Sequence, residues 1–374
     1  MKIFLLLLLF LEFIEPSLEI KVPGLPYYIG KLAFILYGIL GLLNYGFDKI
    51  SRLLIFPFFI WLGFLTGAFL GGPFKTEIAS LPYYLSLAVL AHELGDPKFR
   101  KKIHWAMIVL FTHSIIYILY NVFQNFEYNA YSLFDLTESN IQHPHNVGIK
   151  LTISSIYLII VSSILNRKIF SYVIVAITVI GIILLESRHN LIAFSGTVIV
   201  FLLYLDFKRL FKFIPIPFII GVILIKFTPT FERTEKRFNI RNIEYQSRTT
   251  EARLEVLRQF PSKFIERPIG KGTKNIRLDY GLGYEMTPHN QYITVCFAGG
   301  VISISALLFL IFNASKVTFK NMQSKYFKNY ELPFIFILVN IGLTLIFIEF
   351  WGLVWFLFLT LLVYFKNRKV KLLV

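Results

Sequence analysis

Residues 290–313 read NQYITVCFAGGVISISALLFLIFN, an apolar run without Asp, Glu, Lys or Arg. A helix of about 20 apolar residues crosses the roughly 30 Å hydrocarbon core of a bilayer, so this run predicts a membrane-spanning helix. Cys296 within it is the only cysteine of the chain, and we interpret it as a small buried hydrophobe. His289 stands directly before the run. Because polar groups at a bilayer edge are rarely kept without a use, His289 is a candidate functional residue.

The composition of the whole chain is that of a membrane protein. Of 374 residues, 56% are hydrophobic and 16% are charged, and the mean hydropathy is +0.65. Ordinary soluble domains contain about 25% charged residues, so a soluble globular protein is excluded. The net charge is +16, but most basic residues lie in short clusters beside apolar runs, as cytoplasmic loops of membrane proteins do. We therefore expect contact with membrane lipid and no nucleic-acid partner.

Further apolar runs predict an all-α bundle of about twelve transmembrane helices. They lie near 3–18, 27–43, 53–71, 78–95, 103–123, 147–165, 169–186, 189–206, 211–228, 290–313, 332–348 and 350–365. The first run could instead be a cleaved signal peptide, because Lys2 precedes a short apolar stretch that ends near Phe10. Glu12, Glu15, Pro16 and Glu19 follow this stretch without a small-residue cleavage site, so we expect the segment to be retained. Residues 1–374 are then one integral-membrane domain.

Basic clusters set the expected orientation. The six clusters fall on one side of a twelve-span arrangement, which predicts that this side and both termini are cytoplasmic. They are Lys49 and Arg52; Lys98, Arg100, Lys101 and Lys102; Arg167 and Lys168; Lys208, Arg209 and Lys212; Lys316, Lys320, Lys325 and Lys328; and Lys366, Arg368, Lys369 and Lys371. The loops at about 124–146 and 229–289 would then face the opposite, external side.

The loop at 229–289 carries an amphipathic pattern. Apolar residues between Thr249 and Phe264 recur at three-to-four spacing, which predicts a short helix at the membrane interface. Pro268, Gly270 and Gly272 then predict a turn.

Three arginines could bind an anion on this side. Arg188 stands in the short connection between two apolar runs, where a fixed guanidinium could grip a phosphate through two parallel hydrogen bonds. It could also simply contact lipid headgroups or pair with Glu186. Arg248 and Arg253 lie on the amphipathic helix; there they are either solvated charges or part of a positively charged mouth.

His289 has the setting of a general base. Thr287 has the character of an N-cap and Pro288 fits the first helical position, so His289 is predicted in the first helical turn. The positive end of the helix dipole disfavours a protonated imidazole there, and a neutral imidazole can accept a proton. The alternative is an interfacial histidine that only caps the helix.

Two histidines precede another predicted helix. His143 and His145 have a spacing that could suggest a metal, but no carboxylate or cysteine pattern completes a site. We expect no metal here. The two histidines would instead contact a substrate or take part in the start of the helix.

Taken in order, these pieces resemble the O-antigen ligase and O-antigen polymerase superfamily of bacterial membrane glycosyltransferases. The resemblance spans roughly 140–310. It rests on the following pieces: His143 to Gly148, Ser187-Arg188, Arg253, Pro268 to Gly272, His289-Asn290-Gln291-Tyr292, and Gly299 to Ile302. Two positions depart from the family pattern, namely His189, where Gly or Ala is usual, and Leu257, where Trp is usual.

The resemblance implies a metal-independent, cofactor-free, inverting transfer of a glycan from undecaprenyl diphosphate on the periplasmic face. His289 would activate the acceptor hydroxyl, and Arg188 and Arg253 would hold the diphosphate. The residues implied in substrate binding are Arg248, His143, His145, Asn290, Gly270 and Gly272. In lipopolysaccharide biosynthesis, a ligase moves finished polysaccharide to lipid A core, and we prefer this reading to a polymerase that extends the lipid-linked chain.

A flippase without bond chemistry is the alternative of another class. It should show charges inside several spans and short loops on both sides, whereas here the polar residues gather in one large loop. A membrane scaffold is a further possibility, and it would leave His289 and the two arginines unexplained.

Overall fold

The structure is a computed structural model that describes residues 29–71, 74–124, 144–185, 187–205, 243–273, 276, 278–279, 285–286, 288–321, 331–347 and 353–368. In this part of the chain it consists of eleven helices and one pair of two-residue strands. The helices are α1 Ile29–Tyr45, α2 Phe47–Gly71, α3 Phe74–Glu93, α4 Pro97–Gln124, α5 Pro144–Ile164, α6 Lys168–Leu184, α7 Arg188–Leu205, α8 Ile243–Glu266, α9 Gln291–Asn321, α10 Leu332–Phe347 and α11 Leu353–Lys366. Strands β1 Leu278–Asp279 and β2 Glu285–Met286 pair antiparallel between α8 and α9.

The predicted all-α class is confirmed. Ten of the predicted apolar runs coincide with helices, and the runs at 3–18 and 211–228 lie outside the described residues. By length and composition, α2, α4, α5 and α9 can cross a membrane, while α1, α6, α7, α10 and α11 are apolar but shorter. The total of twelve spans therefore stays a prediction.

The outer surface of the bundle suits lipid. Leu43, Phe69 and Ile169 are at least three-quarters exposed on α1, α2 and α6. Exposed apolar surface of this extent is a liability in water and ordinary in hydrocarbon. The helices are those of a membrane protein.

Small residues let the helices approach closely. On α1, a Cβ at Gly38 or Gly41 would collide with Ser86 or Val89 of α3. Gly63 and Gly67 of α2 stand in the same way against α9. Such contacts replace the hydrophobic effect as a source of packing energy between helices in a bilayer.

One buried asparagine joins three helices. Asn340 of α10 donates from Nδ2 to Thr152 Oγ1 of α5 at 3.1 Å, and its Oδ1 accepts from Thr197 Oγ1 of α7 at 3.5 Å. All three side chains are at most 1% exposed. Phe334 and Phe336 of α10 pack on aromatic rings later in α5 and α7. Therefore α5 and α7 run antiparallel to α10 and begin where α10 ends.

The same reasoning orients α9 and α2. The hydroxyl of Tyr292, in the first turn of α9, donates to the Gly342 carbonyl near the end of α10 at 3.1 Å. Phe56 of α2 stacks on Phe309 of α9, and Gly67 lies against Ala298, so α2 ends where α9 begins. We call the end of the bundle at which α5, α7 and α9 begin the His289 end. The opposite end, at which α10 begins, is called the Glu331 end.

Candidate functional site

The turn between α6 and α7 holds Arg188 at the His289 end. Arg188 is the first residue of α7. Its neighbours along the chain, Ser187, His189 and Asn190, have buried side chains. Asn190 Nδ2 donates to Ser187 Oγ at 2.9 Å, and Ser187 Oγ lies 3.3 Å from Nε2 of His189. The tight connection predicted around Arg188 is confirmed. His189, which departs from the family pattern, is here a buried histidine that contacts Ser187.

The first turns of α5 pack against this connection. A Cβ at Gly148 would collide with the amide of Asn190, so glycine permits the close approach. His145 lies in the first turn of α5, and His143 lies outside the described residues. The backbone of His145 thus stands at the same end as that of Arg188.

The start of α9 differs from the sequence prediction. Asn290 is the N-cap, because its Oδ1 accepts from the amides of Tyr292 at 3.0 Å and Ile293 at 3.2 Å. The prediction that Thr287 caps the helix and that His289 lies in its first turn is wrong: α9 begins at Gln291. His289 precedes the cap, in the left-handed region at φ 49°, and is exposed. It still stands next to the positive end of the helix dipole.

The helix predicted over Thr249 to Phe264 is present as α8, which is longer and runs from Ile243 to Glu266, while its position at the membrane interface stays a prediction. Phe260 packs edge-on against Phe297 of α9, with ring centroids 5.7 Å apart. Farther along, the Pro268 carbonyl accepts from the amide of Val301, so α8 and α9 progress in the same direction. Arg253 lies seven residues before Phe260 on α8, so its backbone is displaced from Phe260 towards the His289 end. Arg248 lies earlier on α8.

A loop fills a break in α9. Gly300 has φ 58° and ψ −153°, which interrupts the helix within the span. The amides of Lys271 and Gly272 donate to the carbonyls of Phe297 and Ala298 at 2.9 and 2.8 Å. The loop therefore satisfies backbone groups that the break exposes, as hydrocarbon requires.

Glycine is required in this loop because the backbone has positive φ angles and because neighbouring atoms leave no room for a Cβ. Gly270 has φ 89°, and a Cβ there would lie 2.5 Å from the Ala298 carbonyl oxygen. A Cβ at Gly272 would lie 2.7 Å from the Cβ of Ala68. The predicted turn is confirmed, and packing against α9 and α2 accounts for both glycines. Their predicted role in substrate binding stays a prediction.

The structure thus brings the backbones of His145, Arg188 and His289 to one end, with that of Arg253 directed towards it. Sequence reasoning missed two buried charged residues there. Glu77 is 2% exposed at the start of α3, and Lys150 is 8% exposed two residues after Gly148. Lys150 could have been found, because it is an ionisable residue within the predicted run 147–165.

The spacing of His143 and His145 could suggest a metal site, and the sequence predicts none. Within the described ranges, no three His, Cys, Asp or Glu residues lie together as metal ligands would. Since His143 lies outside those ranges, the expectation of no metal stays a prediction.

Comparison with known proteins finds a similarity for the central and later part of the chain. Residues 173–325 match a family model described as O-Antigen ligase, a range that contains Arg188, Arg253, the loop and His289. No curated protein and no solved structure matches the chain. Residues 173–325 are therefore similar to the O-antigen ligase family, which supports the resemblance to the O-antigen ligase and O-antigen polymerase superfamily drawn from the sequence.

Proposed function

We propose that the protein transfers a glycan from an undecaprenyl-diphosphate-linked donor to an acceptor hydroxyl at the His289 end of the bundle. The observation that carries the proposal is the common position of three helix starts. Helices α5, α7 and α9 begin at one end, with His145, Arg188 and His289 at or next to their first turns. The family match covers Arg188 and His289 together.

The arginines supply the charge that the donor requires. When the sugar leaves its diphosphate, negative charge develops on the phosphate oxygens, and a fixed guanidinium stabilises it through paired hydrogen bonds. Buried Ser187 and Asn190 hold the backbone on both sides of Arg188. Arg253 would act from α8, and Lys150 adds a buried positive charge near the start of α5. Because these cations neutralise the leaving group, the proposed reaction uses no metal and no cofactor.

His289 would act as the general base. Its exposed position before α9 suits an imidazole that an acceptor sugar must reach. The acceptor hydroxyl gives its proton to the imidazole while its oxygen bonds to the anomeric carbon of the donor sugar. The bond from that carbon to the diphosphate oxygen breaks, and undecaprenyl diphosphate leaves with the electron pair. One such displacement inverts the configuration of the anomeric carbon.

The proposed orientation places the His289 end in the periplasm and both termini in the cytoplasm of a bacterial inner membrane. Support comes from the opposite end. The basic cluster at residues 98–102 lies at the start of α4, and Arg368 follows the end of α11, both at the Glu331 end. Positively charged residues favour the cytoplasmic side. In this orientation, residues 229–289 form a periplasmic loop within a single membrane domain, residues 1–374.

Within the family we propose the ligase reaction, with lipid A core as the acceptor. The order of the arginine and histidine segments resembles that branch. A polymerase would use the same groups with a lipid-linked glycan as acceptor. The products distinguish the two in a deletion strain: a ligase defect leaves carrier-linked polymer without polymer on lipid A, whereas a polymerase defect leaves single repeat units.

The test of the proposed chemistry is a pair of substitutions with matched controls. His289→Ala should reduce glycan transfer by about 100-fold or more, because it removes the general base. Arg188→Lys should reduce it at least about tenfold, because a point charge lacks the bidentate fork. His104→Ala and Arg167→Lys, at the Glu331 end, serve as controls and should transfer normally.

Polymer on lipid A would be measured in the deletion strain, with the amount of each variant in the membrane as the reference. Normal polymer in both the His289 and Arg188 variants would refute the proposed site. Unchanged polymer in the deletion strain itself would refute the glycosyltransferase function and favour a protein without bond chemistry.

A further inference from the structure

Glu77 is a buried acid at the His289 end for which the proposed transfer has no chemical use. It lies in the first turn of α3 and is only 2% exposed. Its Oε1 accepts two hydrogen bonds from one residue, from the amide of Thr273 at 2.7 Å and from the Thr273 hydroxyl. Two donors of one residue on one buried carboxylate oxygen hold the chain at Thr273 against α3.

The backbone of Glu77 is itself fixed from α2. Trp61 Nε1 donates to the Glu77 carbonyl at 2.7 Å, and Trp61 is 7% exposed. On the same helix, Gly67 lies against the amides of Lys271 and Gly272. Helices α2 and α3 thus form a rigid support on one side of the loop.

Thr273 directly follows the residues that fill the break in α9. Gly272 donates its amide to Ala298, and Thr273 donates to Glu77. The loop is therefore bonded on one side to α9 and on the other to α3. The loop also follows α8, whose Phe260 packs on α9.

We propose that Glu77 is a positioning residue of the transfer reaction. By holding Thr273, it keeps the Pro268–Thr273 loop in the break of α9, and the loop in turn fixes α8 relative to the start of α9. Arg253 lies on α8 and His289 lies before α9, so the bond sets the relation between the diphosphate-binding group and the base. The inference rests on the proposed function, and it adds a residue that lies outside the segment matched by the family model.

Thr273 offers a substitution of nearly constant shape. Thr273→Val removes the hydroxyl donor and keeps the amide, whereas Thr273→Ser keeps both donors. Loss of one of the two hydrogen bonds to the buried Glu77 carboxyl group should reduce glycan transfer about tenfold in Thr273→Val, whereas Thr273→Ser should keep transfer within about twofold of wild type. Glu77→Ala should reduce transfer roughly 100-fold, because displaced catalytic groups lose their alignment.

Two further measurements separate positioning from a general loss of structure. Purified variants in detergent would be tested for binding of undecaprenyl diphosphate, which should stay within about twofold of wild type if only alignment is lost. Hydrogen exchange of the peptide that contains residues 268–273 should accelerate in Glu77→Ala and Thr273→Val, and not in Thr273→Ser. This second readout is independent of any activity.

The outcomes distinguish the inference from the proposed function. Normal transfer and unchanged exchange in Thr273→Val would overturn the role of Glu77. Equal loss of transfer, of undecaprenyl diphosphate binding and of membrane-inserted protein in both Thr273 variants would also overturn it, since that indicates folding. If the wild-type protein neither binds undecaprenyl diphosphate nor transfers glycan, the proposed function fails even where the exchange result holds.

Discussion

The two ends of the bundle are held together by different forces. At the Glu331 end, Glu331 is fully buried and accepts from Arg100 at 2.9 Å, from Arg368 at 3.0 Å and from the Tyr364 hydroxyl at 2.6 Å. One carboxylate thereby joins α4, α10 and α11. At the His289 end, α9 is joined to the Pro268–Thr273 loop by three backbone hydrogen bonds, and glycines at 270, 272 and 300 permit the close approach.

This difference indicates that the Glu331 end serves stability and that the His289 end serves the positioning of the proposed site. At the Glu331 end, both arginines are committed to a buried carboxylate, so their charge stabilises the helix ends. At the His289 end, the loop is held mainly by neutral backbone groups and one acid, Glu77. A junction of this kind relates α8, which carries Arg253, to α9, which follows His289, through backbone hydrogen bonds. The comparison predicts that damage at one end should change catalysis and damage at the other should change stability.

The largest effect is expected from Gly300→Val. The residue has φ 58°, and a Cβ would collide with the carbonyl oxygen of Pro268. Strain and overpacking together should cost roughly 4 kcal/mol, with loss of transfer. Gly46→Ala is the matched control: it shares a positive φ but has open space around it, so it should cost only about 1 kcal/mol. Thermal unfolding in detergent would measure both, and equal losses would show that the close contact at Gly300 is unimportant.

The second-largest loss of stability is expected from Glu331→Ala. Removing the carboxylate leaves Arg100 and Arg368 near each other in a buried setting, which should cost about 3 kcal/mol of stability. The variant protein that remains folded should transfer glycan at the wild-type rate, since this end holds none of the proposed catalytic groups. Unfolding and transfer per folded molecule would be measured together. A fall in transfer without a fall in stability would contradict the separation of the two ends.

The smallest effect is expected from the cap of α9. Asn290→Ala removes the acceptor for the amides of Tyr292 and Ile293 and should cost about 1 kcal/mol. Asn290→Ser can still cap the helix. If Asn290 acts only as a cap, serine should restore both stability and transfer. If serine restores stability but not transfer, then Asn290 contacts substrate, as the family resemblance implies.

Most helices could be predicted because each needs only local information. An apolar run of spanning length has few alternatives in a bilayer, so the runs at 103–123 and 169–186 correspond closely to α4 and α6. The amphipathic spacing that follows Thr249 likewise predicted α8. Its packing face is formed by Val256, Phe260 and Phe264, whereas Leu254 and Leu257, which also belonged to the predicted pattern, are about half exposed.

The candidate site was predicted only in part. Thr287 and Asn290 are both good capping residues, and the fold selected Asn290 because Pro268 to Gly272 and the helices around α9 fix where the helix begins. The break at Gly300 could not be predicted, since two glycines within an apolar run are compatible with a continuous helix. The hydrogen bonds of Glu77 could not be predicted from the sequence, because its partner Thr273 lies 196 residues away in the chain.

The sequence by itself determined that this chain is a helical membrane protein, and it predicted that Arg188, His289 and the loop at 229–289 share one side, because hydrophobic length, basic clusters and turn residues act locally. Tertiary structure alone decided that α9 begins at Gln291, that a loop completes α9, and that Glu77 and Glu331 are buried at opposite ends of the bundle. Those features depend on contacts between residues far apart in the chain, and their strength comes from burial, which no local pattern reveals.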